Sequence, residues 1–274
     1  MKKIAIVGLG IIGGSLGGAL KRAGYTVDGF ARREETLKYA VQNGFIDKAG
    51  ENLAEYDVVF IALPPYPTLE YLRKEKFKKN ALVVDICGVK KVPENAVYEK
   101  QRDYRYVGIH PMAGKETSGI GSASATLFDG ANLIVTVCEK TDRAAVMEIK
   151  EYAAAMGFGK IIECSAEEHD KKIALTSQLA HIVSNAYVKS EQVQGCEGFT
   201  GGSFQDMTRI AGVDETVWTP LYASNRENII KELNGLIDHL SVYRDALVAE
   251  DYEKLSDTLK EGRLIRENVK RDNG

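Results

Sequence analysis

Short β-branched apolar runs alternate with longer stretches of helical periodicity over the first 164 residues. Residues 3–7 form one such run, ending in glycine, which suits a buried strand of a parallel sheet, and residues 11–23 suit a helix. Further strand-like runs fall at residues 26–30, 58–63, 81–86, 105–109, 132–137 and 160–164, with helix-like segments between most of them. This alternation predicts βαβ units wound into an α/β fold with a doubly wound, mostly parallel sheet. Strand signals stop after Cys164. There Ser165-Ala166-Glu167-Glu168 has the form of a capping box and opens a long helical pattern, interrupted by the glycine-rich loop 195–202. The pattern predicts two domains: residues 1–164, which hold the sheet, and residues 165–274, all-helical.

Within the helical part, Ile229, Leu233, Leu236, Leu240, Tyr243 and Leu247 step by 4, 3, 4, 3 and 4 residues, the spacing of a heptad seam. Packing inside one subunit would satisfy such a seam. A helical domain this small has limited core of its own, which favours a homodimer built on these helices.

Composition narrows the partners. Hydrophobic residues make up 44% of the chain and charged residues 27%, with a net charge of -3. Both signs are mixed along the sequence, so there is neither a basic stripe for nucleic acid nor a polybasic patch for a membrane, which leaves a small-molecule partner. Cys87, Cys138, Cys164 and Cys196 lie far apart, with no CxxC pair and no histidine at metal-ligand spacing, as expected of reduced thiols in a cytoplasmic protein without a metal site. Lys2-Lys3 followed by the apolar run 4–20 imitates a signal peptide or a short membrane span. Six glycines within that run, and Lys21-Arg22 after it, argue against both.

Gly8-Leu9-Gly10-Ile11-Ile12-Gly13 fits GxGxxG between a predicted strand and a predicted helix. The first glycine permits the tight turn, the second lets the backbone approach a pyrophosphate, and the third lets helix and strand pack closely. In this context the motif predicts a Rossmann-like dinucleotide site, with phosphate on the free N–H groups of the helix and Leu63, at the end of the 58–63 run, beside the cofactor. Where an acidic residue would hold the ribose hydroxyls of NAD, the chain has Ala31 followed by Arg32 and Arg33, which favours NADP over NAD. The alternative is that both arginines simply face solvent. Asp28, three residues earlier, is poorly placed to replace the missing acid.

His110 ends a predicted strand, and Pro111 disfavours a helix after it, so the imidazole should project at the sheet's carboxyl edge, where ligands of open α/β sheets bind. An imidazole titrates near neutral pH and can take a hydroxyl proton as hydride leaves the same carbon. Glu116, in the glycine-flanked loop that follows, is a second candidate for catalysis. After the capping box, Leu175, Leu179, Ile182 and Ala186 form an apolar stripe, while Gln178, His181 and Asn185 share another face and suggest polar contacts to a ligand or across a subunit interface. Further on, Arg209 offers a planar fork suited to a carboxylate, with Asp206 three residues before it as a possible ion-pair partner. The single tryptophan, Trp218, suits the core or a pocket wall.

These residues together resemble the prephenate and arogenate dehydrogenases of tyrosine biosynthesis. The resemblance rests on Gly8 to Ser15, on His110-Pro111-Met112-Ala113-Gly114 with Glu116 and Ser118-Gly119, on His181, and on Asp206-Met207-Thr208-Arg209-Ile210-Ala211, and it spans nearly the whole chain. It implies a Rossmann-like domain followed by a helical dimerisation domain, and an oxidative decarboxylation in which His110 accepts the hydroxyl proton. It also implies that Arg209 binds a substrate carboxylate, that His181 positions the substrate, and that Glu116 tunes or gates the pocket. From the span between the dinucleotide motif and the last helix, neither a fused mutase nor a regulatory domain of the kind some relatives carry is expected.

Two departures stand out. Gly88-Val89-Lys90 replaces the family's frequent Ser-Val-Lys, so a water or a backbone N–H would have to substitute for the hydroxyl. Ser177-Gln178-Leu179-Ala180-His181 replaces Ser-His-Leu-Pro-His, keeping only the second histidine, which favours prephenate with arogenate as the alternative. Rival readings are a β-hydroxyacid-type dehydrogenase, for which no lysine stands in a recognisable motif, and a non-catalytic nucleotide sensor. The sensor would not need His110, Glu116 and Arg209 together.

Overall fold

β1 (Ile4–Val7) is buried at every position, because the sheet it belongs to is covered on both faces. The computed structural model describes residues 2–114 and 117–272. The other strands are β2 (Val27–Phe30), β3 (Lys48–Ala49), β4 (Val58–Ile61), β5 (Leu82–Asp85), β6 (Arg105–Pro111), β7 (Leu133–Thr136) and β8 (Ile161–Cys164), in the spatial order β3-β2-β1-β4-β5-β6-β7-β8. Every neighbouring pair is parallel except β6 and β7. The seven predicted strands are present. β3 was not expected: its two residues are both exposed, so no apolar run marks it.

The order reverses between β1 and β4, which creates the crevice where doubly wound sheets bind ligands. One core includes Ile4, Ile6, Phe60, Val84 and Val107, packed with Leu16 and Leu20 of α1 (Ile11–Arg22) and Ile149 of α5 (Arg143–Ala155). The opposite face sets Ala5, Val7, Val59, Ile61 and Val83 against Leu72 of α3 (Pro65–Lys74) and Val97 of α4 (Lys91–Tyr98). α2 (Glu34–Gln42) completes the helices of this part. At the far end of the ladder Asp85 pairs with Gly108, so Ile109, His110 and Pro111 run past β5 and are held by β7, where His110 pairs with Ile134.

Beyond Cys164, α6 (Ala166–Ile173), a π-helical segment (Ala174–Leu179) and α7 (Ala180–Tyr187) follow without a break. Ser165 caps the start, its hydroxyl accepting from the Glu168 N–H at 3.0 Å. The Glu168 carboxylate pairs instead with Lys172, at 2.7 Å. α8 (Gly202–Thr208) and α9 (Glu215–Ser224) come next.

The chain clusters into two compact units that divide between Arg226 and Glu227. Residue 164 thus marks where strands give way to helices, whereas α6 to α9 belong to the first unit. The second unit consists of the long helix α10 (Arg226–Val248), apart from its first residue, and α11 (Tyr252–Asp272). Along the predicted seam Ile229 is buried, whereas Leu240 and Leu247 are 57% and 56% exposed. Ile237, Leu259 and Ile265 add to the apolar surface these two helices show. Among the described residues no helix is long and apolar enough to cross a membrane.

Candidate active site

The loop between β1 and α1 is shaped by what its glycines lack. Gly8 takes φ +91°, a conformation that side chains rarely adopt, and a Cβ there would also strike the carbonyl of Ala62 and the Leu63 side chain. A Cβ on Gly13 would fall 1.8 Å from the Gly8 carbonyl oxygen, whereas one on Gly10 would meet nothing within 4 Å. Gly10 is the N-cap of α1 and offers no side chain to the first turn, so the free N–H groups at the helix start remain available to an anion. These features fit the pyrophosphate of a dinucleotide. Ile11 faces a cavity and Ile12 packs on the core.

At the end of β2, Ala31 is half-buried, while Arg32 and Arg33 are exposed and make no ion pair among the described residues. Asp28 is turned inward and accepts a hydrogen bond from the Tyr56 hydroxyl at 2.8 Å.

The cavity that begins at Gly10 and Ile11 has a volume of about 790 Å3 and extends past Gly88 and His110 to Gln178, His181 and Trp218. It lies wholly within the first unit.

His110 is held there by a relay. Its Nδ1 lies 2.8 Å from Nε2 of His169, and Nδ1 of His169 lies 2.7 Å from Oδ1 of Asp170. An ionised carboxylate can only accept, so His169 carries its proton on Nδ1, its Nε2 accepts from Nδ1–H of His110, and Nε2 of His110 keeps its lone pair. The Asp170 carboxylate is itself fixed by the backbone N–H groups of Lys90 (2.8 Å) and Lys91 (3.0 Å). Burial above all, then His169 and the Lys90 ammonium, hold the His110 pKa well below 6.5, and burial lowers that of His169 despite its bond to Asp170. At neutral pH the pair is therefore uncharged and His110 is ready to accept a proton.

The imidazole of His169 is the side chain that bonds Nδ1 of His110. At Gly88 a Cβ would stand 3.2 Å from Leu221 Cδ2 and 4.0 Å from His110 Cε1, so Leu221 crowds the space that a serine would need.

Of the other predicted site residues, Gln178 and His181 line the same cavity as His110. His181 donates through Nδ1 to the Ser177 carbonyl at 2.8 Å and lies against Trp218, ring centroids 4.0 Å apart. Gln178 is buried, and its amide oxygen accepts from Asn225, which also donates to the Asp170 carbonyl. Asp206 and Arg209 lie in and just after α8; both are exposed and neither lines the cavity, whose wall there is formed by Ile210, Gly212 and Val213. Glu116 lies outside the described residues. Sequence reasoning missed His169, Asp170 and Asn225. A signal existed for the first two: positions 166, 169, 170 and 173 are all buried and share one helix face, yet two of them are polar.

Known proteins resemble this chain over nearly its whole length. The family model described as prephenate dehydrogenase, nucleotide-binding domain, matches residues 16–163, and that described as prephenate dehydrogenase, dimerization domain, matches residues 165–261. The prephenate dehydrogenase of Bacillus subtilis is 31% identical over 281 residues, covering 97% of this chain and 76% of that protein. Among solved structures, prephenate dehydrogenase from A. aeolicus in complex with hydroxyphenyl propionate and NAD+ superposes with a TM-score of 0.86 at 30% identity, over 98% of each chain. Synechocystis arogenate dehydrogenase does so with a TM-score of 0.78 at 27% identity, over 97% of this chain and 99% of that one. With both halves matched and the sheet, glycine loop and histidine at its carboxyl edge in place, the chain belongs to the prephenate dehydrogenase family.

Proposed function

We propose that this protein oxidatively decarboxylates prephenate to 4-hydroxyphenylpyruvate and CO2 with a nicotinamide dinucleotide as oxidant. The observation that carries the reading is that one cavity joins Gly10 and Ile11 of the glycine loop to His110, whose Nδ1 is occupied by His169. A dinucleotide held at the glycine loop would supply the hydride acceptor for the ring carbon that bears the hydroxyl. His110 takes the hydroxyl proton on Nε2, and its new charge is shared through His169 with Asp170. The bond from the ring to its carboxylate then breaks, its electron pair completes the aromatic ring, and the proton on His110 is available to the phenolate oxygen.

His181 and Gln178 position the substrate, Arg209 draws in its carboxylate with Asp206 beside it, and Glu116 tunes or gates the pocket. Gly8, Gly10, Ile11, Ile12, Gly13, Ala31 and Leu63 hold the dinucleotide. Arg32 and Arg33, exposed at the end of β2, favour the 2′-phosphate of NADP over NAD. The exposed apolar residues of α10 and α11 pair with those of a second copy, making a homodimer. In this division of labour residues 1–164 serve the cofactor and residues 165–274 the substrate and the dimer.

Gln178, where relatives often have histidine, supports arogenate as a second reading. Purified protein mixed with prephenate or arogenate, each with NADP+ or NAD+, separates these: reduced cofactor should appear fastest with prephenate and NADP+. No turnover with any of the four pairs would overturn the activity.

A further inference from the structure

Lys90 and Asp85 form an ion pair in which both side chains are 0% exposed. A buried pair of this kind contributes little net stability over apolar residues of similar size, so its presence calls for another explanation. The three donors of the ammonium are all used. Nζ lies 2.5 Å from Asp85 Oδ2, 3.1 Å from the Asp85 carbonyl and 2.9 Å from the carbonyl of Ile109, the residue before His110. The lysine stem runs along β6, where a Cβ on Gly108 would stand 3.2 Å from its Cδ. Asp85 is held in turn by the Cys87 N–H at 2.7 Å and the Tyr106 hydroxyl at 3.1 Å.

We propose that Lys90 is a positioning residue for His110, acting on it from two sides. Its ammonium grips the backbone of the projecting end of β6, and its own N–H fixes the Asp170 carboxylate that fixes His169. One residue thereby ties the imidazole to its strand and to its relay. The inference rests on His110 as the proton acceptor. The ammonium also acts through its charge: with burial and His169 it disfavours a proton on His110. The ionisable groups facing this region are Asp85 of β5, Cys87 in the turn after it, Tyr106 of β6, Glu94 of α4, and His169 and Asp170 of α6.

The test is the double variant Asp85→Asn/Lys90→Met, which removes both buried charges together and leaves an acceptor for the Cys87 N–H. We expect an unchanged dissociation constant for the oxidised cofactor, a kcat lower by on the order of 10- to 100-fold, as for a displaced catalytic group, and a KM for prephenate altered far less. The acid limb of kcat/KM should move to higher pH, because of the two charges removed it is the Lys90 ammonium that acts on His110, and without it His110 holds its proton longer. A lower Tm with kcat and the acid limb unchanged would make Lys90 merely structural and overturn the inference. Should that variant fail to fold, Tyr106→Phe decides the matter by removing a single hydroxyl from Asp85: a kcat reduced severalfold supports the inference, and an unchanged kcat and acid limb overturn it. His110→Asn in the same assay keeps the two claims apart. Turnover surviving in His110→Asn defeats the catalytic reading itself, whereas turnover lost there and kept in Asp85→Asn/Lys90→Met defeats only the role of Lys90.

Discussion

The glycine loop and the histidine relay share one cavity but are built on opposite principles. The loop is contiguous: the six residues Gly8 to Gly13 present backbone, and the virtue of the three glycines among them is the side chains they lack. The relay draws on Lys90 after β5, His110 on β6 and His169 with Asp170 on α6, and it works only because one ring nitrogen is told apart from the other. A pyrophosphate is large and charged, so backbone dipoles at a helix start suffice to hold it. Moving a proton demands a chosen tautomer, and that takes side chains that the chain brings together from distant places.

If the two regions are separable, substitutions should fall cleanly on one side or the other. His110→Asn should lower kcat by roughly two to four orders of magnitude, the scale of losing a general base, while calorimetry finds the same affinity for oxidised cofactor. Gly13→Ala, which drives a methyl into the Gly8 carbonyl, should weaken cofactor binding by on the order of 10- to 100-fold while much of kcat survives at saturation. A kcat that collapsed together with the affinity would show that the loop and the relay are one device. Asp170→Asn can keep its oxygen for His169 and the Lys90 N–H but turns an NH2 donor toward the Lys91 N–H, which loses its acceptor; it should cost kcat about tenfold in steady-state assays, with cofactor affinity intact. Arg32→Ala combined with Arg33→Ala should raise the KM for NADP+ by roughly tenfold and leave that for NAD+ alone, because only the former carries a 2′-phosphate to lose. The smallest change is one of pH. His110 is active when neutral, and its pKa is pushed well below 6.5, so kcat/KM should stay level as pH falls through 6.5 and drop only below it. An acid limb at or above 6.5 would remove burial and His169 as the influences on the base.

The same contrast explains what could be read in advance. The strands of the sheet were visible because apolar β-branched runs between turns leave a local trace, whereas β3, two exposed residues at an edge, leaves none. The glycine loop was visible for the same reason. His110 was found through Pro111 and the glycines after it, but His169 sits between Glu167-Glu168 and Lys171-Lys172, whose i,i+4 pairs make the segment look like a solvated surface. Those pairs cover the outer face only. The inner face carries Ala166, His169, Asp170 and Ile173, and a periodicity count that scores apolar residues alone passes over two of the four. Leu175 shows a different failure. An α-helical period puts it on one apolar stripe with Leu179, yet it is 53% exposed while Leu179 is buried. The stripe assumed an uninterrupted α-helical period, and the turns between them are π-helical.

That π-helical stretch sets the phase between two halves of one helix. Each residue advances an α-helix by about 100°, so an extra residue accommodated in a wide turn rotates everything after it by about that much relative to everything before it. His169 lies before Ala174–Leu179 and His181 after it, one bonded to His110 and the other lining the same cavity. Deleting a single residue from this stretch would let the helix wind regularly and keep its caps, while His181 swung out of register with His169. The reading frame of the active site is therefore kept by chain length, counted in residues, and not by the identity of any one side chain.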